Sequence, residues 1–314
     1  MSTRRSPAAV LLVAALAVGA CAERAERNPV AARATTTSST STTAPTTTVT
    51  TAPPTTTIAA PVDVHGLRPP APAGDPAGLA AQILAAETTL RDPAAKPEAV
   101  AAAALGQQVA YRQLGVHPEW DGAVLAAVPP ELHYAVQHNA AARREFRAMH
   151  RTLATSLPSW RIVPPDPPDQ LMAAYAEAGQ VHGIPWSYLA AIHLVETGIG
   201  RIRGTSVAGA QGPMQFLPTT WAAYGNGGDI NDTSDAIMAA ARYLEANGGR
   251  TDLARALWNY NHSDHYVRGV TLYAELIGEH PQGFRAFYHW GIWYLTANGD
   301  VYLPVGYDGA APAG

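Results

Sequence analysis

Residues 184 to 200 read Ile184-Pro-Trp-Ser-Tyr-Leu-Ala-Ala-Ile-His-Leu-Val-Glu-Thr-Gly-Ile-Gly200. Pro185 suits a first helical position, where its missing N–H costs nothing. Leu189, Ile192 and Glu196 then share one face at i, i+3 and i+7. Gly198 and Gly200 supply the stop. A helix with these bounds carries a carboxylate in its last turn, on or beside its apolar face. There it meets the negative end of the helix dipole, and apolar neighbours disfavour its ionised form. Both effects raise its pKa. An ordinary Glu, with a pKa of about 4.3, is protonated in only about one molecule in 500 at pH 7. A rise to about 6 makes that roughly one in ten, enough for a general acid. The competing reading is a Glu that reaches solvent or pairs with Arg201 or Arg203. For a Glu in isolation that reading would prevail, but two blocks farther along the chain reverse the balance.

Downstream lie Gly209-Ala-Gln-Gly-Pro-Met-Gln-Phe-Leu-Pro218 and Trp258-Asn-Tyr-Asn-His262. Together with Glu196-Thr-Gly198, these blocks resemble the lytic transglycosylases with a goose-lysozyme-like catalytic domain. That family carries a catalytic Glu followed by Ser, then Gly-x-Met-Gln, then Ala-Tyr-Asn, in this order. The resemblance spans roughly Asp169 to Gly278. Thr197 stands in place of the Ser and keeps its hydroxyl. Asn259 stands in place of the Ala and leaves Tyr260 and Asn261 intact. The resemblance implies that Glu196 is the acid/base, that Met214 and Gln215 line a glycan groove, and that Tyr260 and Asn261 complete the site. Thr197, Gln211 and Phe216 are further substrate-binding candidates. The implied substrate is the peptidoglycan glycan strand, cut at its MurNAc-GlcNAc β-1,4 bond, with no cofactor or metal.

Glycosidic cleavage commonly uses two carboxylates, and the motifs supply one. In the family the 6-hydroxyl of muramic acid itself attacks the anomeric carbon and leaves a 1,6-anhydro end. Glu196 would protonate the leaving oxygen and then accept the proton of that hydroxyl. Asp229, Asp232 and Asp235, in and after the turn-rich Gly225–Asp232 segment, are the acids that a backward fold would bring near. There are two rivals: a hydrolysing lysozyme of the same fold, and a catalytically silent wall-binding lipoprotein. Binding alone gives no reason to place a carboxylate at so unfavourable a position.

The chain has 314 residues, 47% hydrophobic and 15% charged, with a net charge of −4. No basic stripe with interleaved aromatics indicates nucleic-acid binding. Arg4 and Arg5 followed by the apolar run Ala8–Ala20 form a secretory signal too short to span a bilayer stably. The run ends Val18-Gly-Ala-Cys21, and Cys21 is the single cysteine. This ending resembles a bacterial lipobox, which implies lipidation of Cys21 and a membrane-anchored protein on the outer side of the cytoplasmic membrane. The alternative is an ordinary cleavage site with Cys21 incidental. Thr35 to Thr57 is almost all Thr, Ser, Pro and Ala and cannot bury a core. About 50 such residues reach about 40 Å as a flexible coil and roughly 150 Å when extended.

The expected divisions are a signal peptide over 1–20, a lipid-anchored linker over 21–74, a helical region over 75–162, the catalytic domain over 163–281, and a β-hairpin and tail over 282–314. The expected fold is mainly α: a lysozyme-like domain with an N-terminal helical region and a small C-terminal hairpin. Asp75-Pro76 reads as a helix start, with Leu79, Ile83, Ala86 and Leu90 on one face. Helices are also expected over Pro97–Leu114, near Trp120–Val128, and after Pro130. The last carries Leu132, Ala135, Asn139, Ala142, Phe146, Met149 and Leu153 at helical spacing. Its Arg143, Arg144, Arg147 and Arg151 read as a solvated face, with contact to anionic wall polymers as the alternative. Asp169 is a candidate cap for the next helix. Helices over Ser234–Asn247, Leu253–Asn261 and Tyr266–Ile277 come after it, and Asn298-Gly299 signals a hairpin turn.

Three other patterns do not hold up. Gly204-Thr-Ser-Val-Ala208 lacks the last glycine and the strand context of a nucleophile elbow. His262 and His265 have no further ligands at zinc-site spacing. The Asp229–Asp232 turn lacks the ligand alternation and closing Glu of a calcium loop. His193, one turn before Glu196, reads as a packed neutral histidine. From the lipobox reading, Cys21→Ser is expected to release the protein from the membrane fraction with its enzymatic activity intact. Labelling with a fatty acid that never reaches the wild-type chain would contradict this.

Overall fold

The computed structural model describes residues 66–279 and 282–309. The signal segment, Cys21 and the Thr-rich run lie outside the described residues. The N-terminal helices are α1 (Pro76–Arg91), α2 (Pro97–Val116), α3 (Asp121–Ala127) and α4 (His133–Met149), with single 3-10 turns preceding α3 and α4. Asp75 caps α1, as the Asp-Pro pair suggests, accepting from the Gly78 N–H at 2.9 Å. After β1 (Arg161–Ile162) come α5 (Pro168–His182), α6 (Trp186–Thr197), β2 (Ile202–Arg203), α7 (Pro218–Tyr224), α8 (Thr233–Ala246), α9 (Leu253–Tyr260) and α10 (Asp264–Glu279). Then come α11 (Gly283–His289), which the sequence reading omitted, and the antiparallel pair β3 (Ile292–Thr296) and β4 (Gly299–Leu303). The fold is thus mainly helical with two small antiparallel strand pairs.

Three boundaries shift. Asp169 does not cap α5: it lies in the first turn, and Pro167 holds the cap position without a side-chain hydrogen bond. Pro185 is the N-cap of α6 rather than its first residue. In the hairpin, Thr296 pairs with Gly299, so Ala297 and Asn298 form the loop. Gly299, at φ 111°, already belongs to the strand.

Helix α6 is the axle of the molecule. From Leu189 to Thr197 every residue is buried, so its apolar character is not a stripe but a full circumference. It packs against α5, α8 and α10. The main core joins it to Phe146 of α4, Val100 and Ala104 of α2, and Phe284 and Phe287 of α11. The N-terminal helices therefore share the catalytic region's core. Helix α4 runs antiparallel to α10, with His138 paired to Glu275 and Glu145 to His265 and Arg268. Phe146 fills the surface that Gly269 leaves open and stacks on Tyr273. A second, smaller core holds Leu79, Ile83, Tyr111, Leu114 and Val136 together.

Helix α2 fastens the hairpin. Gln108 donates to the Gly291 carbonyl and accepts from the Gly291 N–H and the Trp293 indole. Arg112 pairs with Asp300 and stacks on Trp293. Buried Glu87 accepts from Tyr111 at 2.7 Å and Gln107 at 2.9 Å, and Gln107 in turn accepts from Trp290. These paired groups leave no cost of burying an unmet carboxylate.

Helix α6 ends in three successive left-handed residues, Gly198 (φ 62°), Ile199 (φ 60°) and Gly200 (φ 72°). A β-branched residue there is uncommon. Ile199 is held by its burial and by its N–H on the His193 carbonyl. A Cβ on Gly198 would lie 2.3 Å from Ile292 Cδ1. Gly198→Ala is thus expected to lose about 2–4 kcal/mol in denaturant unfolding, from the left-handed backbone and overpacking together. Gly209→Ala, at φ 84° with nothing within 4 Å, is expected to lose only the backbone part, about 1 kcal/mol. Equal losses would remove the role given to Ile292.

Candidate active site

Glu196 is 1% exposed. Its Oε1 accepts a 2.8 Å hydrogen bond from the Tyr266 hydroxyl, while Oε2 is buried without a protein partner. Burial pushes its carboxyl up to about 8, against a smaller lowering by the Tyr266 hydrogen bond. Among the described residues no neighbouring charge contributes to this shift. With α6 enclosed on all sides, the rise goes beyond the value of about 6 that would already serve a general acid. Neither Arg201 nor Arg203 pairs with Glu196: Arg201 donates to the carbonyls of Gly198 and Tyr288.

The glycine-rich block folds into a tight loop beside this carboxyl. Gln211 and Phe216 exchange both backbone hydrogen bonds, at 2.8 and 2.9 Å. Between them Gly212 (φ 73°) and Gln215 (φ 51°) take left-handed backbone. Gly212 has to be glycine, since a Cβ there would meet the Ile230 carbonyl oxygen at 1.9 Å. Gln215 is a non-glycine residue in a sparsely populated region, a conformation that recurs at ligand sites. Its side chain donates to the Gly212 carbonyl at 3.0 Å.

Two hydroxyls pin the loop. Thr197 donates to the Pro213 carbonyl at 2.6 Å and accepts from the Gly200 N–H at 3.0 Å. Tyr260 donates to the Met214 carbonyl at 2.7 Å. Thr197 therefore spends its hydroxyl on the loop, and the side chains of Met214 and Phe216 lie within the core. Asn261 is 2% exposed, and both atoms of its amide are buried without protein partners. The rings of Tyr260 and Tyr266 lie parallel, 6.4 Å apart. Tyr266 is the site residue that the sequence reading missed. Its partner is 70 positions away, and no local pattern marks it.

The remaining candidates resolve elsewhere. His193 is wholly buried with Nδ1 at 2.7 Å from the Tyr175 hydroxyl. Burial, and then the charges of Arg203 and Arg201, pull it down to about 3, so it is neutral. Asp229, Asp232 and Asp235 satisfy one another's backbone: Asp235 accepts from the Asp229 N–H and Asp232 from the Asp235 N–H, both at 2.9 Å. His262 packs edge-on against Trp258, and His265 goes to Glu145 at 2.7 Å.

A carboxyl with a raised pKa links stability to pH. Its contribution is present in full below the ordinary value near 4.5 and is lost as the pH climbs through about 8, because the unfolded chain sheds the proton first. Glu196→Gln has no such loss. Its stability relative to wild type is expected to improve by a few kcal/mol between about pH 4.5 and 8.5. A constant difference across that range, measured by urea unfolding, would mean that the carboxyl titrates as in water.

Comparison with known proteins returns one family. Residues 173–273 match the model described as Transglycosylase SLT domain. The matched span runs from α5 into α10 and contains Glu196, the glycine-rich loop, Tyr260, Asn261 and Tyr266. Neither the curated proteins nor the solved structures give a match. Over these residues the chain carries the lysozyme-like catalytic domain of the lytic transglycosylases, whose substrate is peptidoglycan.

Proposed function

We propose that the chain cleaves the MurNAc-GlcNAc β-1,4 bond with Glu196 as sole acid/base and leaves 1,6-anhydro-MurNAc ends. The observation that carries this reading is the state of Glu196: buried, protonated at neutral pH, and with no carboxylate among the described residues acting on its titration. A retaining hydrolase needs a second carboxyl about 5 Å away, and an inverting one needs it about 6.5–9.5 Å away. The nearest sequence candidates, Asp229 to Asp235, are engaged in their own turn.

The proton on Glu196 passes to the departing GlcNAc oxygen as the bond from the muramyl C1 breaks. Glu196 is then a carboxylate that Tyr266 stabilises through Oε1. It takes the proton of the muramyl 6-hydroxyl as that oxygen bonds to C1. Atoms balance without water: one C–O bond is exchanged for another, and the acid is regenerated. The attacking hydroxyl is carried by the same sugar, an advantage of several kcal/mol (about 7 or more in favourable cases) over a free nucleophile. The unpartnered amide of Asn261 is suited to hold an N-acetyl or carbonyl group of the substrate. Gln211 and Gln215, on the tight loop, are further substrate contacts in this reading. The N-terminal signal and Cys21 add export and attachment to the outer side of the cytoplasmic membrane.

Digestion of purified sacculi followed by mass spectrometry tests the reaction. Products are expected to end in anhydro-muramic acid, and Glu196→Gln is expected to lower turnover by at least about 10²–10⁴. Predominantly reducing ends, one water heavier, would assign the chain to hydrolysis.

A further inference from the structure

At neutral pH the Glu196 carboxyl and the Tyr266 phenol hold one proton each, and the bond between them decides where the first proton sits. Tyr266 is fully buried, in the first turn of α10. Its hydroxyl makes one hydrogen bond among the described residues, the 2.8 Å contact with Glu196 Oε1. Burial, and then the charge of Glu196, hold the phenol well above its usual range, so it keeps its proton. Suppose that Glu196 carried its proton on Oε1 and gave it to the Tyr266 oxygen. The phenolic hydrogen would then be buried with no acceptor, which is costly. The hydroxyl therefore donates and Oε1 accepts. A carbonyl oxygen has both lone pairs open and is a better acceptor than the O–H of the same carboxyl. The carboxyl proton is thus left on Oε2, which is buried and has no protein partner.

The packing keeps the phenol in this place. Its ring lies parallel to that of Tyr260, 6.4 Å away. Tyr260 is itself held by the Met214 carbonyl and by the edge of Tyr243. The Tyr266 N–H donates to the Ser263 hydroxyl at 3.4 Å. The elements packed on α6 bring no competing partner. Tyr175 of α5 is spent on His193 of α6, and Tyr243 of α8 donates to the Asn259 carbonyl at 2.7 Å. Arg201 and Arg203 act on His193, whereas the Glu196 charge is felt by Tyr260 of α9 and Tyr266 of α10.

We propose that Tyr266 is a positioning residue that assigns the transferable proton to Glu196 Oε2, so that Oε2 is the atom that gives and retakes it. The proposal rests on the glycan-cleaving reading above and names the oxygen that acts in it. In the first step the Oε2–H bond breaks and leaves its electron pair on the carboxylate. The proton goes to the departing GlcNAc oxygen as that oxygen parts from the muramyl C1. The Tyr266 bond to Oε1 is then a charged one, shorter and stronger than before, so it favours the ionised state over the neutral acid. In the second step Oε2 takes the proton of the 6-hydroxyl, because Oε1 is already occupied. Tyr266 stays neutral throughout and exchanges no proton.

Tyr266→Phe keeps the ring against Tyr260 and removes only the donor. The first readout is infrared: the carbonyl stretch of the neutral Glu196 carboxyl is the band that Glu196→Gln lacks. It is expected to move to higher frequency in Tyr266→Phe, because Oε1 loses its hydrogen bond. The second readout is kinetic. On sacculi kcat is expected to fall about ten- to hundredfold with KM nearly unchanged, as the loss of a charged hydrogen bond gives. The alkaline limb of the pH profile is expected to move to higher pH, since a carboxyl without its donor keeps its proton longer. Replacing Tyr266 by 3-fluorotyrosine, nearly isosteric and a stronger donor, is expected to move the band and the limb the other way, and it serves where the Phe variant does not fold. A band that does not move, a limb that stays in place, or a loss confined to KM would overturn the assignment. Failure of the glycan reading looks different: the wild type would then leave sacculi uncut, while the band would still report the Tyr266 bond.

Discussion

The enclosure of one carboxyl governs this structure. A carboxylate at Glu196 with no cation beside it is strongly disfavoured, so the fold holds the neutral acid instead. That requires α6 to be wrapped completely. Helices α5, α8 and α10 cover it, and the glycine-rich loop is fastened across its end by Thr197 and Tyr260. Among the described residues Tyr266 alone gives the acid a hydrogen bond, and the second oxygen stays uncommitted. The same burial that weakens the fold at high pH keeps the proton on Glu196 at neutral pH, as the proposed reaction requires.

The N-terminal helices are part of this enclosure. Phe146 reaches from α4 into the surface of α10, and α2 holds the hairpin through Gln108 and Arg112. The hairpin in turn sets Ile292 against Gly198, where α6 terminates. Residues far from the family-matched span thus fix the end of the helix that carries Glu196.

Much of this was legible in the sequence. Asp75-Pro76, the apolar spacing of α1, α4 and α8, and the turn before β4 are local features, decided by capping, propensity and periodicity within a few residues. The order of the Glu196, Gln211–Phe216 and Tyr260–Asn261 blocks pointed to the catalytic domain for the same reason, because each block is contiguous. Helix α11 escaped because its short run of aromatics, Phe284 to Trp290, has neither a cap nor a clean period. It forms by packing on α2 and α10.

Pairing across the chain was not legible. Tyr266 with Glu196, Thr197 with Pro213, and Arg112 with Asp300 join residues 16 to 188 positions apart, and no local pattern selects among many equivalent hydroxyls and charges. Arg143 and Arg147 show this most plainly. By spacing they belong to an ordinary charged helix face, yet both are half-buried and each has one nitrogen enclosed where α4 packs on its neighbours. The sequence by itself determined the helices other than α11, the candidate acid and the chemistry expected of it. Tertiary structure alone decided which groups lose their water, and burial, unlike periodicity, depends on every element that packs against a residue.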